Sequence, residues 1–285
     1  MIMETANALL VPVAADTSNL GYVGPIFKDK SFEYLPIEEE KPKRGNRTYA
    51  SLPASSEHRQ YGKRLSAFVA REDANTRTHY DPKFECEKGL YTYGENDTSR
   101  LWKLEPGSLI FFYGSLVPYD FKVYKERHTV IAFKEYQRFK KNRYVIGFFT
   151  VRGIAVVSVD RNWKISVTSS KGVVLTEEMK ENQHFLEHKY RKFLAVQGDP
   201  NHSALLEKAI RLTKRQVRTK GGKKRKGWSF ILYPWVKTML GLRKGRHSLR
   251  NRRGIAGEEA KKLLIRKIIK ENQKLKAKLN IPNQR

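Results

Sequence analysis

A chain of 285 residues, 39% hydrophobic and 11% aromatic, has the length and apolar content for one or two packed domains, which excludes global disorder. Its 57 Lys and Arg against 29 Asp and Glu leave a formal charge of +28, and self-repulsion on that scale destabilises a compact state unless a polyanion screens it. The single cysteine, Cys86, excludes an intramolecular disulfide and a zinc site built from paired cysteines, and no apolar run of about eighteen residues offers a membrane span.

The opening stretch MIMETANALLVPVAAD carries Glu4 where a signal peptide has basic residues, and an Asp closes its apolar part. Residues 11–15 are therefore predicted to form a buried first strand in a protein of the reducing cytoplasm. After a polar turn, Phe32, Tyr34 and Pro36 alternate with polar neighbours, as in a strand with one buried face. Residues 38–62 are polar and rich in Pro, Gly and Ser, and such a long loop is more often functional than idle. Strands are predicted at 101–113, 144–151, 154–159, 164–168 and 193–197. Residues 176–190 have helical spacing with Glu in the first turn, and 203–212 is predicted to be a helix capped by Ser203. From Lys208 to Gly257 there is no Asp or Glu, although Trp228, Phe230 and Trp235 keep the segment from being a bare charged tail. Residues 258–279 place Leu264, Ile268, Leu275 and Leu279 on one helical stripe. The expected architecture is α+β: a mixed, largely antiparallel curved sheet or small barrel over residues 1–215, then a basic extension over 216–285 that ends in a helix.

Several separated motifs occur in an order that resembles one prokaryotic family. They are Asp16-Thr17, Gly24-Pro25-Ile26-Phe27-Lys28-Asp29, Ser31-Phe32-Glu33, Pro36-Ile37, His79-Tyr80-Asp81-Pro82 and Thr92-Tyr93-Gly94, followed by the Leu-Ile-Phe-Phe-Tyr run ending at Tyr113 and by Tyr144 to Phe149. Gln197-Gly198-Asp199-Pro200 is a last echo. Over roughly residues 7–215 the chain resembles the nucleotide-modification-associated domain family, type three, which implies a role in the modification of DNA bases. Ser108 stands where that pattern places Asp, and the basic end from Lys208 is an extension beyond it. The strand motifs also resemble the small barrels of the PUA and EVE type, in which a pocket holds an extruded base against aromatic rings.

His79 and Asp81, two apart in an extended segment, share a face, so the carboxylate can orient the imidazole as a general base. The alternative is a turn starting at Asp81-Pro82 with a structural His79. Asp16 follows a strand directly, a place for a catalytic carboxylate or for an Asx turn. Tyr93 and Arg100 are candidates for contacting a base or a phosphate, or for supporting a loop. Lys220, Lys223, Lys224, Arg225 and Lys226 lack phosphate-loop spacing and are read as a solvated basic loop. With Arg243, Lys244, Arg246, Arg250, Arg252 and Arg253 they form the candidate phosphate contacts. No motif specifies a metal, and the cofactor is unknown. The expected partners are DNA or RNA and no membrane, with a protein partner along the last helix as a further candidate. Three functions fit: a component of nucleotide modification working through His79, Asp81 and Asp16, a non-catalytic reader of a modified or flipped base, and a defence nuclease.

Overall fold

The computed structural model describes residues 8–13, 22–39, 47–85, 88–95, 101–126, 135–137, 140–160, 164–174, 192–220, 223–242 and 253–279, together with Asn162, Glu177, Asn182 and Leu249. In chain order the first strands are β1 (Ala8–Pro12), β2 (Gly24–Ile26), β3 (Ile37–Glu38), β4 (Thr78–His79), β5 (Lys83–Glu85) and β6 (Leu90–Glu95). The long β7 (Leu109–Pro118) precedes helix α1 (Phe121–Glu126), and β8 (Asn142–Val159), β9 (Ile165–Gly172), β10 (Lys192–Gly198) and β11 (Ala204–Arg211) complete the main sheet save its last edge. Then come β12 (Thr213–Lys220), β13 (Lys223–Leu232), helix α2 (Pro234–Met239), β14 (Arg253–Gly254), and helices α3 (Gly257–Glu271) and α4 (Lys276–Leu279).

The main sheet runs β14-β1-β7-β8-β10-β6-β5, with β2 also on β7 and both β9 and β11 on β8. Only β1 and β2 pair parallel, both with β7; the remaining pairs are antiparallel. This is the mixed, largely antiparallel sheet that the sequence predicts. It stays open among the described residues, so the barrel form of that expectation does not arise. Residues 109–117 of β7 are buried throughout, as a central strand covered on both faces must be.

The strands expected at 144–151 and 154–159 are one continuous β8. At Gly153, where the two would have parted, a Cβ would run into the Val173 carbonyl, so glycine lets the chain after β9 lie against β8. The expected helix over 203–212 is instead β11. Its Leu, Glu, Lys and Ala are good helix formers, yet pairing with β8 overrides that preference. Ser203 is fully buried, and its Oγ accepts from the Thr150 N–H at 3.2 Å, which pins the strand's start to β8.

The expected C-terminal stripe is buried, although its helix breaks at Asn272 into α3 and α4: Leu264, Ile268, Leu275 and Leu279 join the same apolar cluster as Leu10, Phe111, Phe148 and Leu206. Leu232, Val236, Met239 and Leu240 belong to it too, so the core runs continuously across the division expected at residue 215. Where β11 slips register on β8, the Lys208 peptide is served by Asn272. The Asn272 Oδ1 accepts from Lys208 N at 2.7 Å, and its Nδ2 donates to Lys208 O at 3.0 Å. A buried side-chain amide thus replaces a missing strand partner. The segment expected as a long loop is tied into a second core, in which its Tyr49 and Leu52 pack with Tyr22, Leu35, Leu65, Phe68 and Tyr124.

Leu264→Ala is expected to cost about 2–5 kcal/mol, as a large-to-small change in a closed core does. Urea unfolding of the full chain checks this, with the midpoint falling and the slope unchanged. A chain cut after Arg215 is expected to be molten or insoluble, because it lacks α3 over the sheet; a cooperative unfolding transition in that fragment would contradict this.

Candidate functional site

β12 and β13 pair only with each other among the described residues and form a separate antiparallel ribbon, from Thr213↔Leu232 to Lys220↔Lys223. The basic run expected as a solvated loop is therefore largely extended strand, consistent with the β-forming Val217, Trp228, Phe230 and Ile231 around it. Lys214, Arg215, Arg218, Lys220, Lys223, Lys224, Arg225 and Lys226 give the ribbon eight cations and no carboxylate. At about 3.4 Å per residue, an eight-residue strand reaches about 27 Å. The root is fixed: Arg143 N donates to Thr213 Oγ1 at 2.9 Å, Leu212 N donates to Arg143 O at 2.8 Å, and Tyr233 N donates to Leu212 O at 3.1 Å.

A cleft of about 620 Å³ opens at this root. Arg211, Tyr233 and Trp235, which flank the ribbon, line it together with Phe27, Lys28, Lys30, Tyr119, Tyr144, Lys267, Lys270 and Glu271. Its single carboxylate, Glu271, is paired with Lys30 at 2.7 Å, so four further cations set the charge. Lys267 lies 4.8 Å above the Trp235 ring, a cation–π contact. Burial holds the Tyr144 hydroxyl above its ordinary pKa, against the pull of Arg211, and keeps it a neutral donor. Cations beside aromatic faces suit a phosphate with a stacked base.

Phe27, Lys28 and Tyr119 also line a second cleft of about 670 Å³, together with Asp29, Ser31, Glu57, His58, Gln60, Tyr61, Asp120 and Phe121. Phe27 stacks on Tyr119 at 4.8 Å and on His58 at 4.0 Å, forming the wall between the two clefts. Behind it lies a buried polar array. His58 Nε2 is 2.8 Å from Ser31 Oγ, and His58 Nδ1 is 2.6 Å from Glu33 Oε1. Ser55 fixes the same carboxylate through its N–H at 3.0 Å and its hydroxyl at 2.5 Å. Ser31, Glu33 and His58 are each less than 5% exposed. Asp29 is exposed; the hydroxyl and N–H of Ser31, at 2.6 and 3.1 Å from its Oδ1, draw its carboxyl below the usual range. Between Asp29 and Ser31, Lys30 has φ of 75°, a left-handed conformation at a residue with a Cβ.

The residues singled out from the sequence are distributed differently. His79 is half-buried, and its Nδ1 lies 3.2 Å from Glu39 Oε2. Asp81 is buried, with Oδ2 accepting from Gly94 N at 3.0 Å and Oδ1 from Asn182 Nδ2 at 3.0 Å, while Tyr34 donates to its carbonyl at 2.9 Å. Tyr93 is buried against Phe112 with ring centroids 5.3 Å apart. Arg253 lies in β14 opposite Leu10. Asp16, Arg100, Arg243, Lys244, Arg246, Arg250 and Arg252 lie outside the described residues. The array of Ser31, Glu33 and His58 was missed, although Ser31 and Glu33 sit in the opening motif and His58 in the long polar segment. Among the described residues, no three His, Cys, Asp or Glu side chains are grouped to hold a metal, and no helix is long and apolar enough to cross a membrane.

Fold and clefts together define an α+β protein with an open, mostly antiparallel sheet and a basic, aromatic-lined cleft. The family model described as nucleotide modification associated domain 3 matches residues 7–247, and the chain belongs to that family. The match continues past residue 215, so the ribbon and α2 lie inside the family's domain and are not an appendage to it. No curated protein and no solved structure matches the chain.

Asp81→Ala is expected to lower stability by about 1–3 kcal/mol by leaving the Gly94 N–H and the Asn182 amide without their acceptor; denaturant unfolding of the variant checks it. Asp29, whose folded pKa is depressed, contributes stability above its unfolded value of 3.8 that is lost as pH falls through the folded value. Asp29→Asn is expected to flatten that part of the acid limb in a stability–pH curve.

Proposed function

We propose that this protein binds duplex DNA through its basic ribbon and acts in nucleotide modification, with the target nucleotide held in the cleft at the ribbon's root. One observation carries this reading: the ribbon of eight cations and no carboxylate emerges beside a cleft lined by cations and aromatic rings. A two-stranded ribbon fits the major groove of B-form DNA, whereas the major groove of A-form RNA is too narrow to admit one. Phosphate contacts along the ribbon set register on the duplex. Trp235 offers an aromatic face for a base extruded from the stack, and Lys28, Arg211, Lys267 and Lys270 offer charge for its phosphate. The family's description supports the nucleotide-modification part of this reading.

The test is anisotropy of a labelled DNA duplex over a salt series. If the ribbon meets six to eight phosphates, affinity falls on the order of 10³–10⁵-fold between 50 and 200 mM salt. Replacing Lys223, Lys224, Arg225 and Lys226 by Gln is expected to reduce the log–log salt slope by about 3.6, at about 0.9 per phosphate. A slope near zero in the native protein would remove the ribbon from binding. Trp235→Ala is expected to weaken binding of a duplex with a mismatched, easily flipped base by about 1–3 kcal/mol while sparing the salt slope.

A further inference from the structure

The array behind the second cleft has the connectivity of a nucleophile, a base and an orienting carboxylate. Ser31 Oγ is 2.8 Å from His58 Nε2, and the far nitrogen of the same ring is 2.6 Å from Glu33. Such arrays are recognised by geometry and roles, whatever their order in the chain. Two further observations separate this one from a buried polar clamp. Ser31 and His58, though less than 5% exposed, still contribute to the lining of the cleft. Ser31 also follows the one non-glycine residue with a left-handed backbone among the described residues, Lys30, on a tight turn closed by Phe27 N donating to Ser31 O at 2.8 Å. Strain of that kind costs free energy and persists where surrounding structure enforces it, commonly at reacting groups. Here Lys30 is enforced from outside the turn, by Glu271 at 2.7 Å and by Ala209 N donating to its carbonyl at 3.0 Å.

The charge of the cleft selects its substrate. Asp29, Glu57 and Asp120 line it against Lys28 alone, so it favours a cation, in contrast to the neighbouring cleft. Asp29 also competes for the proton that the base needs: its Oδ1 lies 2.6 Å from Ser31 Oγ, and one hydroxyl proton cannot serve both Asp29 and His58. A ligand ammonium that engages Asp29 frees that proton for His58.

We propose that Ser31 is a nucleophile activated by His58 and positioned through Glu33, and that it takes an acyl group bearing an ammonium, an aminoacyl ester, for transfer to the nucleotide in the adjoining cleft. This rests on the reading of that cleft as the nucleotide site. In the first half-reaction Ser31 Oγ bonds to the ester carbonyl carbon and its proton passes to His58 Nε2. The bond to the alcohol leaving group breaks, and His58 returns the proton to that alcohol. In the second, an amine or hydroxyl of the nucleotide attacks the acyl-serine carbonyl and gives its proton to His58. The Oγ–acyl bond then breaks and Ser31 regains the proton. No oxidant or reductant is required.

The experiment uses the full chain without nucleic acid. A fluorophosphonate probe followed by peptide mass mapping is expected to modify Ser31, with labelling at least about 10²-fold slower in His58→Gln, the scale of a lost general base. Asp29→Asn is expected to label faster than the native protein, because the weaker acceptor releases the Ser31 proton. The p-nitrophenyl ester of alanine is expected to be cleaved at least tenfold faster than its N-acetylated counterpart, with no cleavage in Ser31→Ala. A native protein whose Ser31 stays unlabelled overturns the nucleophile, and this outcome needs no variant to fold. Equal cleavage of the two esters overturns the ammonium requirement. A chain that retains duplex DNA but is not labelled loses this inference alone, whereas a labelled chain that retains no DNA loses the reading beneath it.

Discussion

A buried strand must find partners for the backbone groups along its edges, and the eighteen-residue β8 does so by changing partners halfway. Its first half lies between β7 and β11, and its second half between β10 and β9. Gly153 stands at the change, where a Cβ would collide with the Val173 carbonyl, and Gly147 precedes it, where a Cβ would collide with the Phe84 ring. The ends of β8 and β11 meet at Tyr144↔Arg211, and both residues line the basic cleft. The chain leaves β11 directly into the ribbon, whose root hydrogen-bonds to Arg143, itself buried with its guanidinium on Ser115 Oγ at 2.6 Å. Cleft, ribbon root and sheet edge are therefore set by one strand.

The last helix serves the same place from the other side. Asn272 satisfies both backbone groups of Lys208 in the stretch where β11 slips on β8, and its neighbour Glu271 holds Lys30 in the turn before Ser31. Consecutive residues of one helix end thus tie down a strand irregularity and a strained turn. Lys30–Glu271 is exposed, and an exposed pair contributes little to global stability, so its consequence is the position of the turn and not the strength of the fold.

What could be read from the sequence was what short-range periodicity carries. The all-apolar run of β7 and the stripe of α3 each announce their burial by spacing, and both are buried as expected. β11 could not be read, because its residues favour a helix locally and only pairing with β8 makes it a strand. His79 and Asp81 also have partners that spacing does not reveal. Two residues apart in an extended segment, their observed hydrogen bonds reach different places: Glu39 lies two residues beyond Ile37, which pairs with His79 across β3 and β4, while Gly94 stands on β6. Ser31 and Glu33 were in view as motif residues, but their partner His58 lies 25 residues beyond Glu33, and only the fold of the intervening segment brings the ring back to the turn.

The two clefts carry opposite charge although they share the Phe27–Tyr119 wall. In the first, Lys28, Arg211, Lys267 and Lys270 surround aromatic faces; in the second, Asp29, Glu57 and Asp120 do. Charges of one sign gathered around a low-dielectric wall focus their field, so the two clefts present potentials of opposite sign. A single mixed pocket would let the carboxylates and the cations pair with one another and would lose both preferences. The wall consists of rings stacked on one another, and the two clefts meet at its rim. That rim is where Lys28 lines both clefts, one residue before the turn that presents Ser31.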